Sequence, residues 1–312
     1  MFPGQGSQAV GMGQALAGHR AARAVFDEVD EAIGQPLSRL MAEGPLETLT
    51  LTANAQPALM AVSLAAIRML EAEAGLVLGR DAAFVAGHSL GEYSALAAAG
   101  ALTTGDAAKL LRLRGEAMQD AVPPGMGAMA ALIGADHDLA TALAAEAAEG
   151  EVCALANDNG GGQVVLSGHA GAVGRAVGLA KTRGVKRAVM LSVSAPFHCA
   201  LMQPAADRMA AALEEVEIRA PAVPLVSNRD AAPLGDPRSI RTALVAQMTG
   251  PVRWRECVLA LAGAGVDRIV EVGAGAVLAG LVKRIAPAVS TLSVGTPDGV
   301  AAYRATMETH HV

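Results

Sequence analysis

Short apolar runs along the chain alternate with longer segments in which apolar residues recur every three or four positions, the pattern of buried strands followed by helices. An apolar run from Ala82 to Ala86 leads into Gly87-His88-Ser89-Leu90-Gly91-Glu92, and an alanine-rich segment from Tyr93 to Ala99 leads out. This predicts a strand that turns sharply into a helix with Ser89 at the corner. Upstream, residues 11 to 53 carry short helical patterns broken by Gly34, Pro36, Gly44 and Pro45. A long helix then begins at Asn54-Ala55-Gln56-Pro57, with Asn54 as its cap and Pro57 in its first turn, and ends near Gly75. A further amphipathic helix runs from about Asp106 to Gln119, with Leu110, Leu111 and Leu113 on its apolar side.

Residues 126 to 191 form a block of their own. Strand patterns at Met126 to Ile133, Val152 to Asn157, Gln163 to Ser167 and Lys186 to Val193 are interleaved with helical ones at Asp136 to Glu149 and Ala170 to Arg183. The order β-α-β-β-α-β is the ferredoxin-like pattern, so a small domain at 125–194 is expected inside a larger one made of 1–124 and 195–312. Pro123-Pro124-Gly125 marks the way in and Ala195-Pro196 the way out. Beyond the exit, helices at Met202 to Val216, Ile240 to Met248, Arg253 to Ala264 and Val277 to Ile285 alternate with strands at Pro224 to Ser227, Arg268 to Val272 and Val289 to Val294. That alternation implies an α/β fold with a mainly parallel sheet.

Composition narrows the class. With 312 residues and 52% hydrophobic content the chain builds a sizeable core, and with only 2% aromatic residues that core is made of Ala, Val, Leu, Ile and Met. No apolar stretch is long enough to span a membrane and the start does not resemble a signal peptide, so a soluble cytoplasmic protein is expected. Cys153, Cys199 and Cys257 are scattered, fitting neither a disulfide framework nor a metal site. A net charge of −6 argues against nucleic-acid binding.

The candidate chemistry centres on Ser89. At the start of a helix its hydroxyl meets free N–H groups and the helix dipole, the setting of an acyl-transfer nucleophile. Gly87 and Gly91 flank it, where the turn brings backbone too close for a Cβ or requires positive φ. A serine nucleophile needs a base within reach, and His198 is the natural candidate because Phe197-His198 follows the exit from the inserted block, where two domains meet. His19, His137 and His169 fall in surface helices and turns, and His88 is directed away by the turn. Arg112 and Arg114, two apart on a helix, face different ways, so at least one can turn inward and pair with a carboxylate. Solvated arginines on an outer face are the alternative. The opening loop, Phe2-Pro3-Gly4-Gln5-Gly6-Ser7-Gln8, lets backbone N–H groups converge on a small anion. No strand precedes it in the sequence, so one is expected upstream of Met1. Gly273-Ala274-Gly275 lacks the third glycine and the later acidic residue of a dinucleotide site and reads as a helix entry only.

The opening loop, Gly87-His88-Ser89-Leu90-Gly91-Glu92-Tyr93, Arg114-Gly115 and Phe197-His198, in this order, resemble the malonyl-CoA:acyl carrier protein transacylase family across essentially the whole chain. The resemblance implies an α/β-hydrolase-like large domain around the ferredoxin-like insert and the step that supplies malonyl groups to fatty acid synthesis. It implies malonyl-CoA and acyl carrier protein as partners and no bound cofactor. By the same resemblance Ser89 is the nucleophile, His198 its base, Gln247 the residue that orients the histidine through its backbone carbonyl, and Arg114 the ligand of the malonyl carboxylate. The N–H groups of Gln5 and Leu90 form the oxyanion hole, and Asn157 and Asn159 lie in a loop beside the cleft without a catalytic role. Ala274 and Ala276 depart from the commoner family residues at their turn. Phe197 is expected to narrow the pocket against a 2-methyl branch. Carrier-protein docking calls for a local basic patch, with Lys181, Arg183, Lys186 and Arg187 or Lys283 and Arg284 as candidates.

Rival readings are a serine esterase or thioesterase using Asp298 with His310 or His311, an acyltransferase serving a polyketide synthase, and an inactive docking subunit. The late histidines sit in a terminal tail, a poor place to fix a base.

Overall fold

The structure, a computed structural model, describes residues 1–308. The first part of the chain supplies α1 (Arg20–Ile33), α2 (Thr52–Ala74), β1 (Val85–Ala86), α3 (Gly91–Ala98) and α4 (Thr104–Asp120). The central block is β2 (Gly127–Ile133), α5 (His137–Ala148), β3 (Cys153–Asp158), β4 (Gln163–His169), α6 (Ala170–Thr182) and β5 (Arg187–Met190). The chain then continues through α7 (Gln203–Glu214), β6 (Leu225–Val226), β7 (Pro233–Leu234), α8 (Pro237–Gln247), α9 (Trp254–Gly263), β8 (Arg268–Val272), α10 (Val277–Ile285), β9 (Ser290–Val294) and α11 (Pro297–Glu308). Most boundaries fall within a few residues of those the periodicity predicts. Among the described residues no helix is long and apolar enough to cross a membrane.

In the body, β1 runs parallel to β6, β7 is antiparallel to β6, and β8 and β9 form a parallel pair in register Arg268 to Ser290. The first two residues join these pieces. Met1 accepts from Val272 N–H at 2.9 Å, while Phe2 donates to the Ala86 carbonyl at 2.9 Å and accepts from His88 N–H at 3.0 Å. Met1 and Phe2 thus take a strand position between β1 and β8, and the loop after them is anchored on both sides. The expectation that this loop has no strand feeding it is corrected: two residues suffice, because each bonds to a different neighbour.

The central block forms a separate antiparallel sheet in the order β3-β4-β2-β5. Its helices α5 and α6 close over it through Leu132, Leu143, Ala144, Leu166 and Ala176, all buried. Alternation along β2 and β4 puts these side chains on the covered face.

Helix α2 is buried on all sides from Thr52 to Ile67, which is why its sequence shows no clean stripe. It starts earlier than predicted. The Leu51 carbonyl already accepts from the N–H groups of Asn54 and Ala55, so Asn54 lies inside the helix and Pro57 in its second turn. The Asn54 amide is freed from capping and donates to Thr48 O at 2.7 Å.

Helix α4 presses against the start of α2 at Gly115. A Cβ built there would lie 2.4 Å from Ala53 Cα and 2.6 Å from the Thr52 carbonyl oxygen. Backbone cannot yield as a flexible side chain does, so only glycine allows this approach. Gly115→Ala is expected to cost about 3 kcal/mol of stability and to withdraw Arg114 from its partners on α2. Urea unfolding checks this; a variant of unchanged midpoint would show that the helices have room to spare.

Candidate active site

The elbow is built by close backbone contact. A Cβ at Gly87 would lie 1.9 Å from Gly91 C, and one at Gly91 would lie 2.4 Å from Phe2 O. Neither glycine has positive φ; Ser89 does, at 54°. The positive φ that the turn requires therefore falls on Ser89 and not on the flanking glycines, at a strain of roughly 1–2 kcal/mol. Asn228 holds the turn in place, accepting from Ser89 N–H at 2.7 Å and donating from Nδ2 to Gly87 O at 2.8 Å.

Ser89 Oγ lies 2.8 Å from His198 Nε2. On the other side of the ring, His198 Nδ1 lies 2.9 Å from the Gln247 carbonyl, which can only accept, so Nδ1 carries the proton and the Nε2 lone pair faces the serine. His198 is 4% exposed and has φ of 59°. Burial, aided by the Arg114 charge, lowers its pKa to about 3, against which the Gln247 carbonyl pulls upward. The base is therefore neutral, and free to take a proton, throughout the physiological range.

Arg114 completes the cluster and is 1% exposed. Its Nη1 donates to Gln56 Oε1 at 2.7 Å, and its Nη2 to Gln247 Oε1 at 2.8 Å and Ser89 Oγ at 3.1 Å. Arg112 turns outward to Asn54 and Gln35, so helical geometry settles which arginine faces in. The Arg114 Nε–H is buried without a protein acceptor among the described residues. The guanidinium carbon also lies 5.8 Å from the Tyr93 ring centroid.

Two further residues went unassigned in the sequence. Glu92, 1% exposed, accepts from Asn228 N–H and from Gln247 Nε2, tying both supports of the elbow to one carboxyl group. Burial raises its pKa to about 8, opposed by the Asn228 N–H, the Arg114 charge and the Gln247 amide. Asn228 lies 139 residues from Ser89 in the chain, and no local pattern points to it.

The remaining candidates fall where the sequence placed them or outside the cluster. His88 Nε2 lies 2.9 Å from Asn159 Oδ1, and its ring meets Trp254. His19 pairs with Glu73, His137 lies by Asp158, and His169 Nδ1 accepts from Val152 N–H. Phe197 is 8% exposed in the main apolar cluster. Asn157 and Asn159 are buried at the end of β3 and just after it. The loop of Gly4 and Gln5 packs on the elbow, a Cβ at Gly4 lying 2.8 Å from His88 O. The turn at Gly273-Ala274-Gly275 is followed by α10, whose first N–H groups at Leu278 and Ala279 donate to Glu271. A carboxylate of the chain itself occupies that helix start. Asp298 lies in the first turn of α11, and His310 and His311 lie outside the described residues.

The chain matches the acyl transferase domain family over residues 1–296. It is 45% identical over 303 residues to a malonyl CoA-acyl carrier protein transacylase of Escherichia coli K12, covering 97% of each. The chain belongs to the malonyl-CoA:acyl carrier protein transacylase family. A solved acyl-carrier-protein-S-malonyltransferase from Bartonella henselae is 52% identical and superposes with a TM-score of 0.96 over 98% of both chains. A malonyl-transacylase solved with a type II polyketide acyl carrier protein is 42% identical, with a TM-score of 0.94 over 98% of both chains.

The lowered pKa of His198 fixes a pH dependence. For a reaction that uses this ring as its base, the protonated form is inactive and appears only well below the ordinary value of about 6.5, so the acid limb shifts downward. The acylation rate constant of the free enzyme is expected to stay level from pH 8 to about 5. The His198 contribution to stability falls over the same acid range, because below about 6.5 the unfolded chain binds a proton that the folded ring excludes, while Glu92, its pKa raised to about 8, contributes with the opposite sign. Single-turnover rates at each pH check this; a half-loss near 6.5 would mean an ordinary, solvated imidazole.

Proposed function

We propose that the protein transfers a malonyl group from malonyl-CoA to the phosphopantetheine thiol of an acyl carrier protein, supplying fatty acid synthesis from the cytoplasm. The observation that carries this reading is the meeting of three groups: Ser89 Oγ with His198 Nε2 at 2.8 Å and Arg114 Nη2 at 3.1 Å. A nucleophile, a neutral base and a buried cation in contact suit a thioester whose acyl group ends in a carboxylate.

In the first half-reaction Ser89 Oγ attacks the thioester carbonyl and its proton passes to His198 Nε2. The N–H groups of Gln5 and Leu90, neither engaged by an acceptor among the described residues, receive the negative oxygen. Collapse expels coenzyme A as its thiol, protonated by His198, and leaves a malonyl-serine ester. The carrier thiol then attacks that ester, giving its proton to His198, and Ser89 leaves with the proton returned. Arg114 pairs with the malonyl carboxylate, and an acetyl group offers it no such partner. Phe197, next to the base, is assigned to narrowing the pocket against a 2-methyl branch.

Residues 125–194 are assigned as a ferredoxin-like insert in an α/β-hydrolase-like body of 1–124 and 195–312. The sheet order β3-β4-β2-β5 and the parallel pairs of the body support this division. The basic candidates divide by their surroundings. Arg183 pairs with Glu146, whereas Lys186 lies beside the Gly134 turn of the insert and Arg284 of the body lies beside its Gly161 turn. Docking of an acidic carrier is therefore assigned to the face of Lys186, Lys283 and Arg284, all exposed. A second reading, supply of a polyketide carrier, is favoured by the relative solved with such a protein; transfer rates to the two carrier types separate them.

Mixing with malonyl-CoA is expected to add one malonyl group by intact mass and Ser89→Ala to abolish it. An unmodified wild-type chain would leave only a docking role, and release as free malonate without transfer to carrier would make the protein a thioesterase. Arg114→Ala is expected to lower malonyl transfer by a hundredfold or so and to narrow the preference over acetyl-CoA. Parallel assays with both thioesters read this out, and unchanged selectivity removes the arginine from its role.

A further inference from the structure

We propose that Thr52 is a positioning residue that ties the acyl-carboxylate site to the oxyanion loop, an inference that rests on the transacylase reading above. Four side chains form one hydrogen-bonded line. Arg114 Nη1 donates to Gln56 Oε1 at 2.7 Å, Gln56 Nε2 to Thr52 Oγ1 at 2.9 Å, and Thr52 Oγ1 to Gln5 Oε1 at 2.7 Å. Arg114 and Gln56 are 1% exposed and Thr52 is fully buried; Gln5, at the far end, is partly exposed.

The directions of the first two bonds are forced. A guanidinium has no acceptor, so Gln56 must turn its oxygen to Arg114 and its NH₂ to Thr52. The Thr52 hydroxyl then accepts from Gln56, and its one proton goes to Gln5 Oε1. One buried cation therefore sets the orientation of Gln56 and, through it, the role of the Thr52 hydroxyl, which is bonded in turn to Gln5. Thr52 and Gln56 are one turn apart on α2, so a rigid helix face carries the middle of the line.

The far end matters because Gln5 supplies an oxyanion N–H from a loop, and its side chain is what anchors that loop to α2. A carboxylate arriving at Arg114 polarises the line from its head, and bonds in such a chain strengthen one another. An acetyl group has no carboxylate and leaves the line as it was. Thr52 thus contributes to turnover of malonyl groups in particular, without touching the substrate.

The test is single-turnover acylation of Ser89, followed by intact mass, with malonyl-CoA and with acetyl-CoA. Thr52→Val keeps the shape and removes the hydroxyl. It is expected to slow malonyl acylation roughly ten- to a hundredfold and acetyl acylation less, so the ratio of the two rates falls although Arg114 is intact. Thr52→Ser restores most of the loss. In an Arg114→Ala background, where the line has lost its head, Thr52→Val should add little. Wild-type rates for Thr52→Val, equal losses with both thioesters, or losses that simply multiply in the double variant would each overturn the proposal. Should Thr52→Val not fold, Gln5→Ala reads the same link from its partly exposed end, keeping the backbone N–H, with the same outcomes expected and excluded. A wild-type chain that forms no malonyl-serine defeats the transacylase reading itself; a normal wild-type adduct with an unaffected Thr52→Val defeats the line alone.

Discussion

The buried guanidinium of Arg114 is the constraint around which the site is arranged. A cation that is 1% exposed depends on the few groups around it, and its hydrogen-bond partners here are neutral: two glutamine oxygens and the Ser89 hydroxyl, with the Tyr93 ring centroid 5.8 Å away. Glu92, a carboxyl group whose charge acts on it, hydrogen-bonds to Gln247 and not to the arginine. Uncharged partners satisfy the arginine's geometry while leaving its charge uncancelled. Burial keeps that charge beside Ser89, and Gly115 allows it by letting α4 close on α2.

The second requirement is a serine held in a conformation that its backbone resists. Positive φ at Ser89 persists because the surroundings leave no alternative: Asn228 grips the turn at both ends, and Phe2 seals the glycine behind it. These supports arrive from distant segments. Glu92 bonds to both Asn228 and Gln247, so the turn's clamp and the base's support share one anchor, and displacement of either is felt at the other.

Local pattern made much of this legible and topology hid the rest. The elbow, the β-α-β-β-α-β block and the position of His198 at its exit could be read because each depends on residues adjacent in sequence. Spacing could show only that Arg112 and Arg114 point apart; the contact at Gly115 decides between them. Glu92 sits inside the elbow motif yet looks like an ordinary first-turn helix residue until Asn228 and Gln247 are seen against it. Asn54 was misread as a cap because cap chemistry and internal bonding use the same side chain. The opening loop looked unsupported because pairing by Met1 and Phe2 with β1 and β8 leaves no run long enough to register as a strand.

His198 is held by a backbone carbonyl where serine hydrolases commonly place a carboxylate, and the neighbouring arginine gives the reason. A carboxylate on Nδ1 would raise the affinity of the ring for protons and would also offer Arg114 an ion pair, drawing the guanidinium off its glutamines. The Gln247 carbonyl fixes the same tautomer at 2.9 Å with no net charge. The side chain of that same residue orients Arg114, so base and carboxylate ligand are aligned by one position on α8. The cost is a less basic imidazole. A thioester tolerates that cost, because its thiol leaves far more readily than an amine and needs less help from a protonated base.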